Sequence, residues 1–312
     1  MQRLLRRFRV WLIAAMACLL SPAHAYLVCV VSSERAPAYQ EAADSLTQEL
    51  VRSGIARQDI QALSLAEYLD GSVVGQDTRL IVSLGADALR QVLARNARQA
   101  VIAALIPRIS FERLLADSHR KNPANVAALY LDQPFGRQLD LLHMALPSVR
   151  RVGVLWGPES VAQQPLLATA LQARGLESTE RVLAEGGSLI TALRAVLNNT
   201  EALLAVADSA VYNPSTIANI LLTSYRDKTP VMAFSPGYVK AGALLSVHST
   251  AAQAGVQVAS MALHYLQTNT LPASQYPLDF SISVNEYVAH SLGLSLQAKT
   301  LNERLHRLEK KP

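Results

Sequence analysis

The 312-residue chain carries a formal net charge of +5, half of its residues are hydrophobic, and it has two cysteines. That length is close to the limit for a single core, which favours two lobes. Four positive charges, on Arg3, Arg6, Arg7 and Arg9, fall in the first ten residues; the remainder is nearly neutral, so the basic balance makes no case for a nucleic-acid binder.

The opening MQRLLRRFRV is followed by an apolar run over 10–20 and by Ala23-His24-Ala25. This is the pattern of a secretory signal peptide, with cleavage expected after Ala25 by the general secretory route. The run is too short to span a bilayer, and nothing later approaches the roughly 20 apolar residues that a spanning helix needs, so a soluble periplasmic chain is expected. Cys18 lies inside the run and reads as membrane-crossing filler rather than a lipid-attachment site. Cys29 alone survives cleavage, in an apolar strand, as a small buried residue; no internal disulfide is expected.

The first strand is predicted over 26–31 (YLVCVV), ending in Ser32-Ser33. Pro37 opens a helix to about Arg52, with Ala38, Ala42, Leu46 and Leu50 at helical spacing and Gly54 ending it. Strands follow at 60–65, at 80–84 (LIVSL), at 101–106 and at 126–131, the third leading through Gly85-Ala86-Asp87 into a helix to about Arg95. After Asp132-Gln133-Pro134 a helix runs over 135–145, and the strand 151–156 (RVGVLW) restarts the rhythm in a second lobe. Helices are expected at 161–174 and 188–197, with a minor strand at 181–183. The apolar run 202–207 suits a strand covered on both faces and stops abruptly at Asp208-Ser209. A helix over 214–225, with Asn213 as cap and Pro214 first, leads to a strand at 231–234. Then come a strand at 244–247, a helix at 252–266, a strand at 279–284 and a charged helix at 299–311 whose Leu301, Leu305 and Leu308 share one face for packing on its own lobe. The β-α-β alternation specifies doubly wound, Rossmann-like α/β lobes.

No GxGxxG, GxxxxGK[ST] or GxSxG occurs, so the usual phosphate cradles and serine elbow are missing. His119, His143, His248, His264, His290 and His306 show no ligand spacing, and no metal or other cofactor is expected. A racemase with one cysteine per lobe is excluded by the single mature cysteine. What remains are polar residues at strand ends, where open α/β sheets bind ligands. They are Ser32 and Ser33, Gly85 and Ala86 at a helix start whose N–H groups attract an anion, Asp132 and Gln133 at the lobe crossing, Asp208 and Ser209, and Ser235. Each alone also suits a cap or turn. Together they would suit a zwitterion, with Asp208 meeting an ammonium and the Gly85 turn a carboxylate; Tyr212, Phe234 and Tyr238 could supply apolar walls.

Several segments carry a resemblance: LDQPFGRQLDLLHMALPSVRRVGVLWGPES from Leu131, LLAVADSAVYN, TPVMAFSPGYVKAGALLSVHST, QAGVQVA and FSISVNEYVAHSLGL. In these the chain resembles the ABC-transporter substrate-binding proteins of periplasmic-binding protein type I fold, a family that includes tryptophan- and tyrosine-binding members. The resemblance implies a flytrap architecture, two lobes joined by three crossings that close on a ligand. The first lobe would hold 26–131 with about 243–270, the second 132–242 with about 271–298, and 299–312 would form a helical tail. Asp208 and Ser209 match the family's strand-end aspartate and its polar neighbour, and Gly85 with Ala86 its first-lobe helix turn. Ser209 stands where many relatives have Asn, and many relatives are lipoproteins, which this chain is not expected to be.

The implied function is that of a periplasmic, non-enzymatic and monomeric receptor that captures a small, amino-acid-like ligand for an inner-membrane ABC permease. An alternative is a sensory module that presents the same closed form to a membrane sensor kinase or cyclase. A hydrolase is disfavoured by the missing nucleophile motif.

Overall fold

The computed structural model describes residues 27–70, 78–95, 98–118 and 123–310. The expected signal peptide, the first residue of the expected first strand, His119 and the last residue of the expected terminal helix lie outside them.

The first lobe is built on β1 (Val28–Ser32), β2 (Ile60–Ser64), β3 (Leu80–Leu84), β4 (Ala100–Ile106) and β5 (Val126–Tyr130). They form one parallel sheet in the order β2-β1-β3-β4-β5. The near-continuous apolar strands are explained by burial on both faces. Val28 and Val30 point into one core, Cys29 and Val31 into the other. Burial pushes the Cys29 thiol up to about 12, so it behaves as a small hydrophobe. The crossover helices are α1 (Pro37–Arg52), α2 (Leu65–Asp70), α3 (Ala86–Ala94) and α4 (Arg108–Asp117). Neither α2 nor α4 is expected from the sequence. Each buries a single large residue, Tyr68 or Phe111, and so shows no apolar period.

The second lobe begins with α5 (Phe135–Ala145) and β6 (Arg151–Trp156), continues through α6 (Gln164–Gln172), β7 (Glu177–Val182), α7 (Leu189–Leu197), β8 (Ala202–Leu204), α8 (Ile217–Arg226), β9 (Val231–Ala233) and the short α9 (Pro236–Ala241), and reaches β10 (Leu245–His248). Its sheet runs β11-β10-β9-β8-β6-β7, where β11 (Ser281–Val284) returns antiparallel to β10. The minor strand expected at 181–183 is a full edge strand, disguised by its polar ESTERV sequence. Asn213 caps the turn before α8, accepting from the Ser215 N–H at 3.0 Å, so the helix starts later than Pro214 suggests.

One boundary changes. The strand at 244–247, expected in the first lobe, pairs with β9 and β11 in the second. Its apolar side chains Leu245 and Val247 fill the second lobe's core, and the chain returns to the first lobe only at Ser249-Thr250. There α10 (Ala251–Thr268) starts from a capping box between Thr250 and Gln253 and lies on α1. Gly255 makes that contact possible, because a Cβ there would stand 2.4 Å from the Ala42 carbonyl oxygen. Gln275 then bridges to the edge of β5 before the third crossing leads to β11, α11 (Glu286–Ser291) and α12 (Ala298–Glu309). Leu301 and Leu305 seat α12 in the second lobe's core.

Candidate functional site

A cavity of about 570 Å³ opens between the carboxyl edges of the two sheets. This is within the range of about 300–1,000 Å³ common to small-molecule sites. The first lobe contributes Ala38, Glu41 and Pro107; the second contributes Phe135, Gln138, Gln163, the chain just beyond β8 and Phe234-Ser235-Pro236 beyond β9. All three crossings reach it, through Leu131-Asp132-Gln133, through the segment that includes His248 and Ser249, and through Tyr276.

Four of the expected site residues meet here: Asp132, Gln133, Phe234 and Ser235. Asp132 is partly exposed to the cavity, and its Oδ2 accepts from the Arg108 N–H at the start of α4. Burial raises its carboxyl above the ordinary aspartate value, against the opposing pull of backbone N–H groups and the Arg108 charge. A cation entering the cavity would relieve that cost. Gln133 is buried; its Nε2 donates to Ser249 Oγ at 3.0 Å, so its position is fixed. Burial lowers the pKa of His248, which favours the neutral imidazole. Phe234 alone of the three expected aromatic walls lines the cavity; it packs edge-on against Tyr238 and Tyr212, which support it from behind.

The other expected residues are placed elsewhere. Asp208 is 4% exposed and does not line the cavity. Its Oδ2 accepts from the N–H groups of Glu159 and Ser160, at 3.0 and 2.8 Å, and from Ser160 Oγ at 2.9 Å, while Oδ1 accepts from the Ala210 N–H at 3.0 Å. The carboxylate is thus consumed in tying the loop after β8 to the turn after β6. Gly157 is required beneath it, since a Cβ there would lie 2.2 Å from Oδ1. The expected ammonium contact at Asp208 is corrected accordingly. Ser209 donates its N–H to Glu159 and faces outward, away from the cavity lining. Tyr212 sits in the core below Phe234, with a buried hydroxyl that has no hydrogen-bond partner among the described residues.

The first lobe is closed in a parallel way. Ser33 Oγ accepts from the Ala88 N–H at 2.8 Å and so occupies the start of α3, where an anion was expected. Gly85, at φ +89°, is packed so closely that a Cβ would meet Ser33 Oγ at 2.6 Å. Ser32, Ser33, Gly85 and Ala86 do not line the cavity. In both lobes the strand-order switch point, beside β1 and beside β6, is filled by the protein's own side chain, and the open space lies toward the crossings.

Sequence reasoning misses His248, Ser249, Gln163, Glu41 and Tyr276 as lining residues. A signal existed for the first two: His248-Ser249-Thr250 follows an apolar strand as Asp208-Ser209 does. Glu41 and Gln163 sit on helical or turn positions with no such mark.

Two α/β lobes with parallel sheets, joined three times around a cavity, define the architecture of a periplasmic-binding protein of type I. The model for ABC transporter substrate binding proteins matches residues 61–304, and the chain belongs to that family. The chain matches none of the curated proteins compared with it. Among solved structures it is similar to the ligand-free, open form of a substrate-binding protein with adhesive properties from Clostridium difficile, at 17% identity and a TM-score of 0.68 over 87% of this chain and 96% of that one. An ABC domain from Streptococcus pneumoniae in complex with L-Trp matches at 17% identity and 0.62, over 89% and 98% of the two chains. A conserved domain protein from Vibrio cholerae matches at 19% and 0.60, over 89% and 97%. Among the described residues no helix is long and apolar enough to cross a membrane.

Proposed function

We propose that this chain is an exported, monomeric receptor of the periplasm that closes its lobes on a small amino-bearing ligand, of amino-acid type, and presents it to an inner-membrane ABC permease without chemistry of its own. The observation that carries the ligand class is Asp132, a partly exposed carboxylate that lines a cavity walled by Phe135, Phe234 and Tyr276. An ammonium would pair with Asp132 while the rings cover an apolar body. The similar pneumococcal domain holds L-Trp, a ligand with both features. Export is supported by the basic, then apolar, first 25 residues.

A thermal-shift screen of the chain from Tyr26 against amino acids, small peptides, nucleobases and sugars tests this. A ligand at a hundredfold excess over its dissociation constant adds about 2.7 kcal/mol of stability, and an amino-bearing compound should give the largest shift. Shifts confined to sugars or nucleobases would contradict the ligand class, and N-terminal sequencing of exported protein that begins at Met1 would contradict cleavage.

A further inference from the structure

The three crossings share one node, a buried arginine beside the cavity but outside its lining. Arg137, on α5, is 7% exposed. Its Nε and Nη2 donate to the two carboxylate oxygens of Glu309, the last residue of α12, at 2.6 and 2.7 Å. Its Nη1 donates to Gln133 Oε1 at 2.7 Å, in the first crossing, and to the Pro277 carbonyl at 2.8 Å, in the third. Gln133 in turn donates to Ser249 in the second crossing, and Ser249 Oγ donates to the Asp279 carbonyl at 2.7 Å in the third. The guanidinium also lies 4.2 Å from the centre of the Phe280 ring, on which His306 of α12 stacks at 3.9 Å.

From this we infer that Glu309 is a positioning residue for ligand capture: through Arg137 and Gln133 it fixes the resting angle between the lobes and the placement of the cavity-lining Gln133 and Ser249. The physical reason is charge. A buried guanidinium needs its carboxylate, and without it Arg137 must turn toward water, releasing the Gln133 and Pro277 contacts that bind crossing to crossing. The bidentate fork makes the coupling directional, since a planar guanidinium held on one edge by Glu309 offers its remaining N–H groups at fixed angles to the crossings. The same helix carries an internal control. Asp140, three residues along α5, holds Arg174 in an equally bidentate pair at 2.7 and 2.6 Å, but among the described residues neither side chain hydrogen-bonds to a crossing.

The inference rests on the two-lobe capture reading for its consequence, yet its test needs no ligand. Spin labels at Arg90→Cys and Arg226→Cys, exposed positions in opposite lobes, report the inter-lobe distance by pulsed electron resonance, while the fully buried Cys29 stays unlabelled. In the labelled, ligand-free protein, Glu309→Gln and Glu309→Ala should broaden the distance distribution about twofold and shift its mean. Asp140→Asn should leave the distribution as in the parent, although it also breaks an ion pair. A parent-like distribution in both Glu309 variants, or equal broadening in Asp140→Asn, would overturn the inference. Either result would remove only the role of Glu309 and leave capture, which the thermal-shift screen tests separately, standing.

Discussion

Asp132 and Asp208 are the same residue in the same setting, a carboxylate released where a buried strand leaves its sheet, and the fold uses them in opposite ways. Asp208 is enclosed by four donors, three of them backbone N–H groups, and ties two loops of the second lobe together. Asp132 receives the Arg108 N–H and faces the inter-lobe cavity. A strand end determines where a polar side chain can act, but the supply of N–H groups within reach decides whether any of its acceptor capacity is left for a ligand. On this comparison Asp208 serves the fold, and Asp132 is the residue proposed to meet a ligand.

The largest expected effects break the Asp208 side. Asp208→Ala leaves the N–H groups of Glu159, Ser160 and Ala210 without their acceptor and should cost about 3–5 kcal/mol in denaturant unfolding. Gly157→Ala drives a methyl group into the same carboxylate and should cost about 3 kcal/mol with the carboxylate still present. Equal stability in either variant would show that the loop tie is dispensable. A smaller effect belongs to the corresponding closure in the first lobe: Ser33→Ala removes the acceptor for the Ala88 N–H and should cost about 1 kcal/mol, read as a lowered melting temperature.

The smallest effect is a pH dependence on the Asp132 side. Its carboxyl is raised in the folded state by burial, so folding favours the protonated form. The stability this group contributes is fully present below the unfolded aspartate value and is lost as pH rises through the raised folded value. At neutral pH the ionised Asp132 therefore works against the fold. Asp132→Asn should melt at the same temperature as the parent or slightly higher at pH 7, with the gap closing in acid. A clear loss of stability in Asp132→Asn at pH 7 would mean that the carboxylate serves the fold after all.

The sheet strands and most crossover helices are legible in the sequence because buried parallel strands write continuous apolar runs, as in LIVSL and RVGVLW, and their helices repeat at 3.6 residues. The helices α2, α4, α9 and α11 are not, since each buries one residue and leaves no period. The position of β10 is illegible for a different reason: Leu245 and Val247 announce a buried strand but not which of two similar sheets it joins. The site is legible as a set of strand ends and illegible as geometry. Asp132, Gln133, Phe234 and Ser235 reach the cavity, whereas Ser33 and Asp208 turn inward onto helix and loop N–H groups that no local sequence pattern reveals. His248 and Glu41 become site residues only through the closeness of the two lobes.

The most direct test titrates Asp132→Asn and Asp208→Asn side by side, by calorimetry, with the amino-bearing ligand that gives the largest thermal shift. If the ammonium meets Asp132, that charge-assisted bond is worth roughly 1.5–3 kcal/mol, so Asp132→Asn should bind about 10- to 150-fold more weakly while keeping the parent's melting temperature. Asp208→Asn should show the reverse, a lower melting temperature with the parent's affinity in the folded protein. Weakened binding in Asp208→Asn together with undiminished binding in Asp132→Asn would contradict the assignment of the ligand's charge to the cavity between the crossings.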